Sequence, residues 1–332
     1  MLVVTRTPLR VSFFGGGTDL AGYYRDHEGA VLTSTIDKYV HVMIRPRSDG
    51  RFVVRHSSAE TVDRLDDIKH GLTRECLRLL RPSGGLEVTS MSDAPAEGCG
   101  LGASSAFTVG LVRALAALDG GDVSAAGVAE HACEVEIDML GEPIGKQDQY
   151  ATALGGFHEL RFHRDGRVTA EPTAPTPEHR AALTAHATLF FTGRTRQAST
   201  ALRRWHANKV DNVNRFHAIK QAVPAGRAAL AAGDVAELGR LLDATWRQKR
   251  QLVGGAGDHE IDEMYDRARA AGAYGGKLLG AGDGGFFLFL CPPVHHERLR
   301  VALAPYSSMP FAFVDHGTTV IYDGSSKPVG QE

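Results

Sequence analysis

Short runs of apolar and β-branched residues, broken by glycine and proline, dominate the first sixty positions. Val11-Ser-Phe-Phe runs into Gly15-Gly-Gly-Thr-Asp19. Ala30-Val-Leu-Thr-Ser-Thr-Ile36, Tyr39-Val-His-Val-Met-Ile44 and Arg51-Phe-Val-Val-Arg55 follow, each of strand length and bounded by turn residues. The period then changes. Ile68, Leu72, Cys76, Leu79 and Leu80 fall at helical spacing, which predicts a helix over 66–80. Leu86 to Met91 reads as a strand. A glycine-rich turn at 98–102 opens into an apolar helix from Ser104 to Leu118. Ser124 is placed as the N-cap of a helix to Leu140, ended by Gly141 and Pro143. Phe157 to Phe162 is strand-like, and the Pro/Thr-rich stretch 169–177 suits a linker or long loop. Further on, Ala187 to Phe191 and Gly284 to Leu290 predict strands. Helices are expected near 197–222, 234–252, 259–272 and 294–304, with two closing strands around 311–322. Mixed strands and helices with hairpin-like strands at the start give an α+β class.

With 332 residues the chain is long enough for two domains or one large one. Formal net charge is −2, from 37 basic and 39 acidic residues, so no basic excess suggests a nucleic-acid or membrane-surface binder. Cys76, Cys99, Cys133 and Cys291 are far apart and form no C-x-x-C pair, which predicts free buried thiols in a reducing compartment. The apolar run at Met1 is too short for a signal peptide, and no stretch approaches the ~18 apolar residues of a membrane span. A cytoplasmic location is expected.

Chemistry concentrates in four places. Pro95 to Ala106 joins a strand to a helix through Gly98, Gly100 and Gly102. Such glycines bring backbone N–H groups against an anion, and a helix start adds its own donors and the positive end of its dipole. A serine-capped tight turn would use the same residues. No Walker string is present: Gly141–Lys146 and Gly272–Lys277 come near, but neither lysine is followed by Ser or Thr. The glycine spacing also departs from G-x-G-x-x-G. On the helix before Gly141, Glu130, Glu134 and Asp138 share one face. Glu136 points to the side of Val128, Ala129 and Ala132, where a carboxylate needs a partner such as a cation. Asp148 follows a Pro/Gly break with Lys146 nearby, and a positive neighbour favours the ionised form that accepts a hydroxyl proton. A helix-capping role is the simpler alternative. Finally, Arg10 to Asp19 ends a strand in three glycines, a hydroxyl and a carboxylate able to grip sugar hydroxyls, or else a capped hairpin turn. Gly275 to Gly285 is either a flexible turn or a second backbone cradle.

Three of these stretches, in order, resemble the signature regions of the galactokinase, homoserine kinase, mevalonate kinase and phosphomevalonate kinase (GHMP) family: Pro8-Leu-Arg10 through Asp19, Pro95 through Ala106, and Lys277 through Gly285. The run Glu136 to Gly156, with Phe191-Thr-Gly-Arg194-Thr-Arg196, is most similar to the D-glycero-D-manno-heptose 7-phosphate kinase branch. The resemblance implies a two-domain architecture. Residues 1–175 would be ribosomal protein S5 domain 2-like and carry the phosphate loop, and 176–332 would be a ferredoxin-like α/β unit. It implies ATP with Mg²⁺, transfer of the γ-phosphoryl group to a sugar hydroxyl, and a sugar phosphate as acceptor. By the same resemblance Asp148 is the base, assisted by Arg10. Gly98, Gly100, Leu101, Gly102, Ala103, Ser104, Ser105 and Ala106 hold the nucleotide, and Ser105 and Glu136 hold the metal. Arg10, Ser12, Gly16, Gly17, Thr18, Asp19, Gly280, Gly282 and Asp283 lie on the sugar side. Arg194 and Arg196 could form a cationic wall for a sugar phosphate, or a solvated basic loop. The loop reads Gly-Leu-Gly-Ala-Ser-Ser-Ala without the unbroken serine run of many members, so Ser104 and Ser105 both stay open as the metal-binding hydroxyl. Other readings are a kinase of the same family acting on fucose, galactose or an amino sugar, a non-catalytic nucleotide or sugar binder, and a dinucleotide-dependent dehydrogenase. An oligomer is possible; nucleic-acid and membrane partners are not expected.

Overall fold

A computed structural model describes residues 1–95, 98–195, 209–252, 259–280 and 284–324. β1 (Val3–Phe14) pairs antiparallel with β2 (Gly29–Pro46) along almost its full length. The two runs expected at 30–36 and 39–44 form this one 18-residue strand. Pro8 faces Tyr39 while Leu9 faces Ile36, so Asp37 and Lys38 bulge out and the ladder continues past them. α1 (Ala21–His27) fills the connection.

β3 (Phe52–Arg55), β4 (Ala59–Val62) and β5 (Leu86–Ser92) extend one side of the sheet, in the order β1-β2-β5-β3-β4. α2 (Gly71–Leu80), α3 (Ala103–Leu118), α4 (Ala125–Cys133) and α5 (Gln147–Leu154) form the layer of helices associated with it. α3 is buried nearly all round against β1 and β2, which explains its almost uninterrupted apolar sequence. Ser124 caps α4 by accepting from the Gly127 N–H at 3.1 Å. β6 (Phe157–Phe162) pairs with the first half of β2, and β7 (Val168–Pro172) pairs with β6. Part of the expected linker is therefore a hairpin strand.

The second layer begins with α6 (Pro177–His186) and β8 (Ala187–Phe191). α7 (Lys209–Ala232), α8 (Val235–Leu252) and α9 (His259–Ala270) follow. α7 passes through Pro224 where the sequence reading stopped at 222; its expected start at 197–208 lies outside the described residues. β9 (Gly275–Leu278), β10 (Phe286–Leu290), α10 (His296–Ala302) and β11 (Ser308–Met309) complete an antiparallel sheet ordered β11-β8-β10-β9. Every residue of β10 is buried, so it reads as a continuous apolar run, not an alternating one. Its Phe287 and Phe289 pack with Trp246 and Tyr265. β12 (Phe313–Val314) and β13 (Thr319–Asp323) then return to the first sheet, on β2 and β1. All four cysteines are free and buried. Among the described residues no helix is long and apolar enough to cross a membrane.

The sheets meet through backbone: the Phe286 N–H donates to the Cys99 carbonyl at 3.0 Å, so the glycine turn before α3 lies at the start of β10. Phe287→Ala should destabilise the protein by ~3–5 kcal/mol, because Phe287 is fully buried and leaves a cavity. Val294→Ala, at 82% exposed, should stay within ~0.5 kcal/mol of wild type. Urea unfolding of both variants checks the pair.

Candidate active site

Arg10 organises the centre. It sits on β1, is 2% exposed, and cannot reach water, so its guanidinium donors need protein acceptors. Nε and Nη2 donate to the two carboxylate oxygens of Asp148, each at 2.7 Å, and Nη1 donates to the Gly100 carbonyl at 2.6 Å. The Arg10 N–H adds a bond to the Leu101 carbonyl at 3.0 Å. A two-pronged fork of this kind fixes direction as well as distance. Asp148 stands in the first turn of α5 and its side chain stays 24% exposed, open on one side. Each of its oxygens keeps a second lone pair. Its carboxylate is engaged by Arg10 and not by the backbone of α5, so the helix-capping alternative does not describe Asp148. Lys146 also points elsewhere: its Nζ donates to the Gly166 carbonyl at 2.6 Å and lies over the Tyr24 ring.

The glycines of the loop are demanded by close approach. Gly102, the N-cap of α3, has φ +76°, and a Cβ there would lie 3.2 Å from Arg10 Cγ and 3.4 Å from Asp148 Oδ2. The base candidate is thus seated against the N-terminus of α3. A Cβ on Gly100 would come within 2.5 Å of the Leu279 carbonyl oxygen. The N-cap Gly102 has no side chain to cap α3, and the free N–H groups of a helix's first turn are anion donors. Ser104 in that turn is exposed, whereas Ser105 is buried.

Glu136 lies on a π-helical turn, Glu134–Met139, that continues α4 and turns this carboxylate inward. It is 1% exposed. Ser105 Oγ donates to it at 2.8 Å, Thr108 Oγ1 at 2.5 Å, and Gln149 Nε2 also donates. Burial pushes its carboxyl up to about 7; the three hydrogen bonds oppose this, and the charge of Asp148 adds to it. Gln149 Oε1 is a buried acceptor with no partner. Carboxylate, hydroxyl and amide oxygens in one pocket make a hard donor set that fits Mg²⁺, which binds through one or two carboxylates plus substrate phosphates. Consistent with so few acids, the described residues hold no cluster of three or more His, Cys, Asp or Glu. Thr108 and Gln149 were not singled out from sequence. Their only signal was position: Thr108 three residues after Ser105 on the same helix, Gln149 next to Asp148.

On the far side of Asp148, Asp19 is buried and accepts from the Gly17 N–H at 2.8 Å, Gln147 Nε2 at 3.1 Å and the Gln147 N–H at 3.3 Å. Burial raises its pKa, and the neighbouring charge of Asp148 raises it further. Thr18 braces the turn by donating to the Gly15 and Ala30 carbonyls. Ser12 Oγ and Gln147 Oε1 flank Gly16, and both are buried without a hydrogen-bond partner among the described residues. Buried polar atoms left in this state mark where a hydroxyl of a ligand or a water belongs. Gly280 packs on Gly100, and its carbonyl accepts from Lys249. Arg194 forms an ion pair with Glu260 of α9. Arg196, Gly282 and Asp283 lie outside the described residues.

A cleft of about 560 Å³ leads away from Ser104 and Glu136. His56, His70, Met91 and Phe107 help line it. The two imidazoles lie 4.7 Å apart, each 5.2 Å from the Phe107 ring. Such an apolar slot with a polar mouth suits a flat ring joined to an anionic tail. Its walls come from six separate stretches of the described chain, and nothing in the local sequence marks His56, His70, Met91 or Phe107.

Residues 69–156 match the family described as GHMP kinases N terminal domain, and residues 227–306 match GHMP kinases C terminal. Over 313 residues the chain is 32% identical to the D-glycero-alpha-D-manno-heptose 7-phosphate kinase of Campylobacter jejuni, covering 90% of this chain and 92% of that protein. A solved D-glycero-D-manno-heptose 1-phosphate kinase from Bacteriodes thetaiotaomicron superposes with a TM-score of 0.80 at 28% identity, over 97% of this chain and all 100% of that one. Lactococcus lactis galactokinase, complexed with galactose, shares the fold at a TM-score of 0.77 and 17% identity, over 96% and 95% of the two chains.

A carboxyl raised from 4.5 to about 7 by folding stabilises the folded state in its protonated form. That contribution is complete below the unfolded value and is lost as pH rises through about 7. Without Mg²⁺ or nucleotide, wild type should therefore lose on the order of 3 kcal/mol from this group as pH rises from about 5 to about 8. Glu136→Gln should flatten that slope. Urea unfolding across the pH series decides, and equal slopes in the two proteins would remove the raised carboxyl from the account.

Proposed function

This chain belongs to the GHMP kinase family, and from that premise we propose that it transfers the γ-phosphoryl group of Mg·ATP to D-glycero-D-manno-heptose 7-phosphate, giving the 1,7-bisphosphate. It is a phosphotransferase with a sugar hydroxyl as acceptor, and its family consists of ATP-dependent kinases that generally use Mg²⁺. The observation that carries the reading is the seat of Asp148: held by the Arg10 fork, against the N-terminus of α3, with Asp19 and the unpartnered Ser12 and Gln147 oxygens beyond it.

Phosphoryl transfer asks for in-line placement and charge neutralisation more than for covalent chemistry. The N–H groups at the start of α3 and the loop Gly98 to Ala106 would cradle the phosphates, with the nucleobase in the 560 Å³ cleft. Ser105 and Glu136 would hold the Mg²⁺, which when bound neutralises charge gathering on the transferred group. Exposed Ser104 would face the phosphates directly. Asp148 would accept the proton of the attacking hydroxyl, and Arg10 would keep its carboxylate aimed. Asp19, Ser12 and the backbone of Gly16, Gly17 and Thr18 would bind the sugar. Gly280 would approach it from the second layer, and Gly282 and Asp283 are proposed as further sugar contacts.

Support for a phosphorylated heptose comes from two relatives named for such substrates, whose names differ in the position of the phosphate. A dianionic acceptor needs cations, and Arg194 and Arg196 are the proposed wall. Similar proteins named for galactose and fucose keep a neutral sugar as the alternative acceptor. For domain organisation we propose the division at 175/176, with β12 and β13 returning to the first unit.

Coupled assays of ADP release with mannoheptose 7-phosphate, sedoheptulose 7-phosphate and unphosphorylated hexoses test the acceptor. The expected result is turnover confined to the heptose phosphate; preference for a free hexose would replace it. Asp148→Asn should keep nucleotide binding and lose ~10²–10⁴-fold in kcat. Turnover near wild type in that variant would remove the base assignment.

A further inference from the structure

Two buried ammonium groups stand beside the sugar-side loop without a role in the chemistry above. Lys277, on β9, is 6% exposed and reaches from the second sheet to donate to the Phe13 carbonyl at 3.2 Å, near the end of β1. Lys249, on α8, is 5% exposed and donates to the Gly280 carbonyl at 2.6 Å. Both line a cavity of about 10 Å³ with Gly16, Thr245 and Trp246, room for about one water. Three neighbours therefore converge on Gly16: its own loop, β9 and α8.

Among the described residues no carboxylate lies within ion-pair distance of Lys277. Burial disfavours its charged form, as do the charges of Lys249 and Arg10, and Asp19 is the acid that opposes them. Asp19 has a matching need. Both oxygens of Asp148 already occupy the Arg10 fork, and the charge of Asp148 works against ionised Asp19. Lys277 is a cation on that side of the loop whose charge and that of Asp19 favour one another.

We propose that Lys277 is a positioning residue for the acceptor sugar: from the second sheet it pins the end of β1 and sustains Asp19 as the carboxylate that grips the sugar's hydroxyls. This rests on the proposed sugar-side role of Asp19. Lys277 touches no reacting atom and acts through Asp19 and the Phe13 carbonyl. Four charged groups face this spot: Arg10 from β1, Lys249 from α8, Asp19 from the loop and Asp148 behind it. Removing the ammonium leaves Asp19 easier to protonate, so the acidic limb of kcat/KM for the sugar moves to higher pH.

Lys277→Met and Lys277→Arg, with thermal melting as a folding control, provide the test. The expected result for Lys277→Met is a sugar KM raised roughly tenfold or more, as for loss of a charge-assisted contact. ATP KM should be little changed, the acidic limb shifted upward, and Lys277→Arg should recover most of the loss. Equal rises in both KM values, or none in a normally melting variant, would overturn the proposal. A second measurement needs no turnover: lysine ε-carbon NMR titration of wild type and Asp19→Asn, with the Lys277 signal assigned by its loss in Lys277→Met. The Asp19 variant should move the Lys277 midpoint to lower pH, and an unmoved midpoint overturns the proposal by itself. If no sugar phosphate serves as acceptor, the proposed substrate fails while this titration still judges Lys277.

Discussion

A single buried arginine holds the centre together. Arg10 joins β1, the glycine loop and α5 through one guanidinium, using the carboxylate of Asp148 and the carbonyl of Gly100. A buried cation must have its donors met, and removing a partner strands a charge at a cost of several kcal/mol. The same requirement that keeps the arginine satisfied aims Asp148. With a glycine at 102, the start of α3 can approach that carboxylate so closely that a Cβ there would already touch it. Stability and catalytic geometry are here one constraint.

Three carboxylates share this small volume, and each is managed by a different device. Asp148 takes the arginine. Asp19 takes two backbone N–H groups and an amide. Glu136 receives only neutral donors, and burial holds it near the midpoint of its titration at neutral pH. A carboxyl in that condition has a strong tendency to gain either a proton or a cation. A hard cation taken up at this carboxyl would therefore release its proton.

The second layer does more than cover the first. Phe286 bonds to Cys99, Gly280 packs on Gly100, and Lys277 reaches Phe13, so the sheet of β8–β11 touches both glycine loops at their backbones. In return, β12 and β13 cross back to complete the first sheet. The chain thus interlocks its halves at both ends of the site. A substitution in β9 can reach the sugar side without lying in the loop that binds it.

Sequence alone determined the α+β class, most of the helices and strands, the buried thiols and the three glycine-bearing stretches, because these follow from local period, turn chemistry and spacing. It placed Glu136 on the inward side of its helix, and the structure buries that residue. It divided β2 at Asp37–Lys38 because a bulge looks like a turn until a partner strand is present, and it ended α7 before Pro224 because tertiary packing there overrides a local breaker. Read residue by residue, it set Lys146 beside Asp148 as the nearest cation in sequence; the family resemblance named Arg10, 138 positions away, and folding brings that arginine to the carboxylate. Thr108, Gln149 and the histidine-lined cleft were invisible for the same reason, each made of ordinary residues in its own segment, and Lys277 was visible only as the start of a glycine-bearing stretch. Burial and the field of distant neighbours give them their chemistry, and those come into being only when the two sheets close.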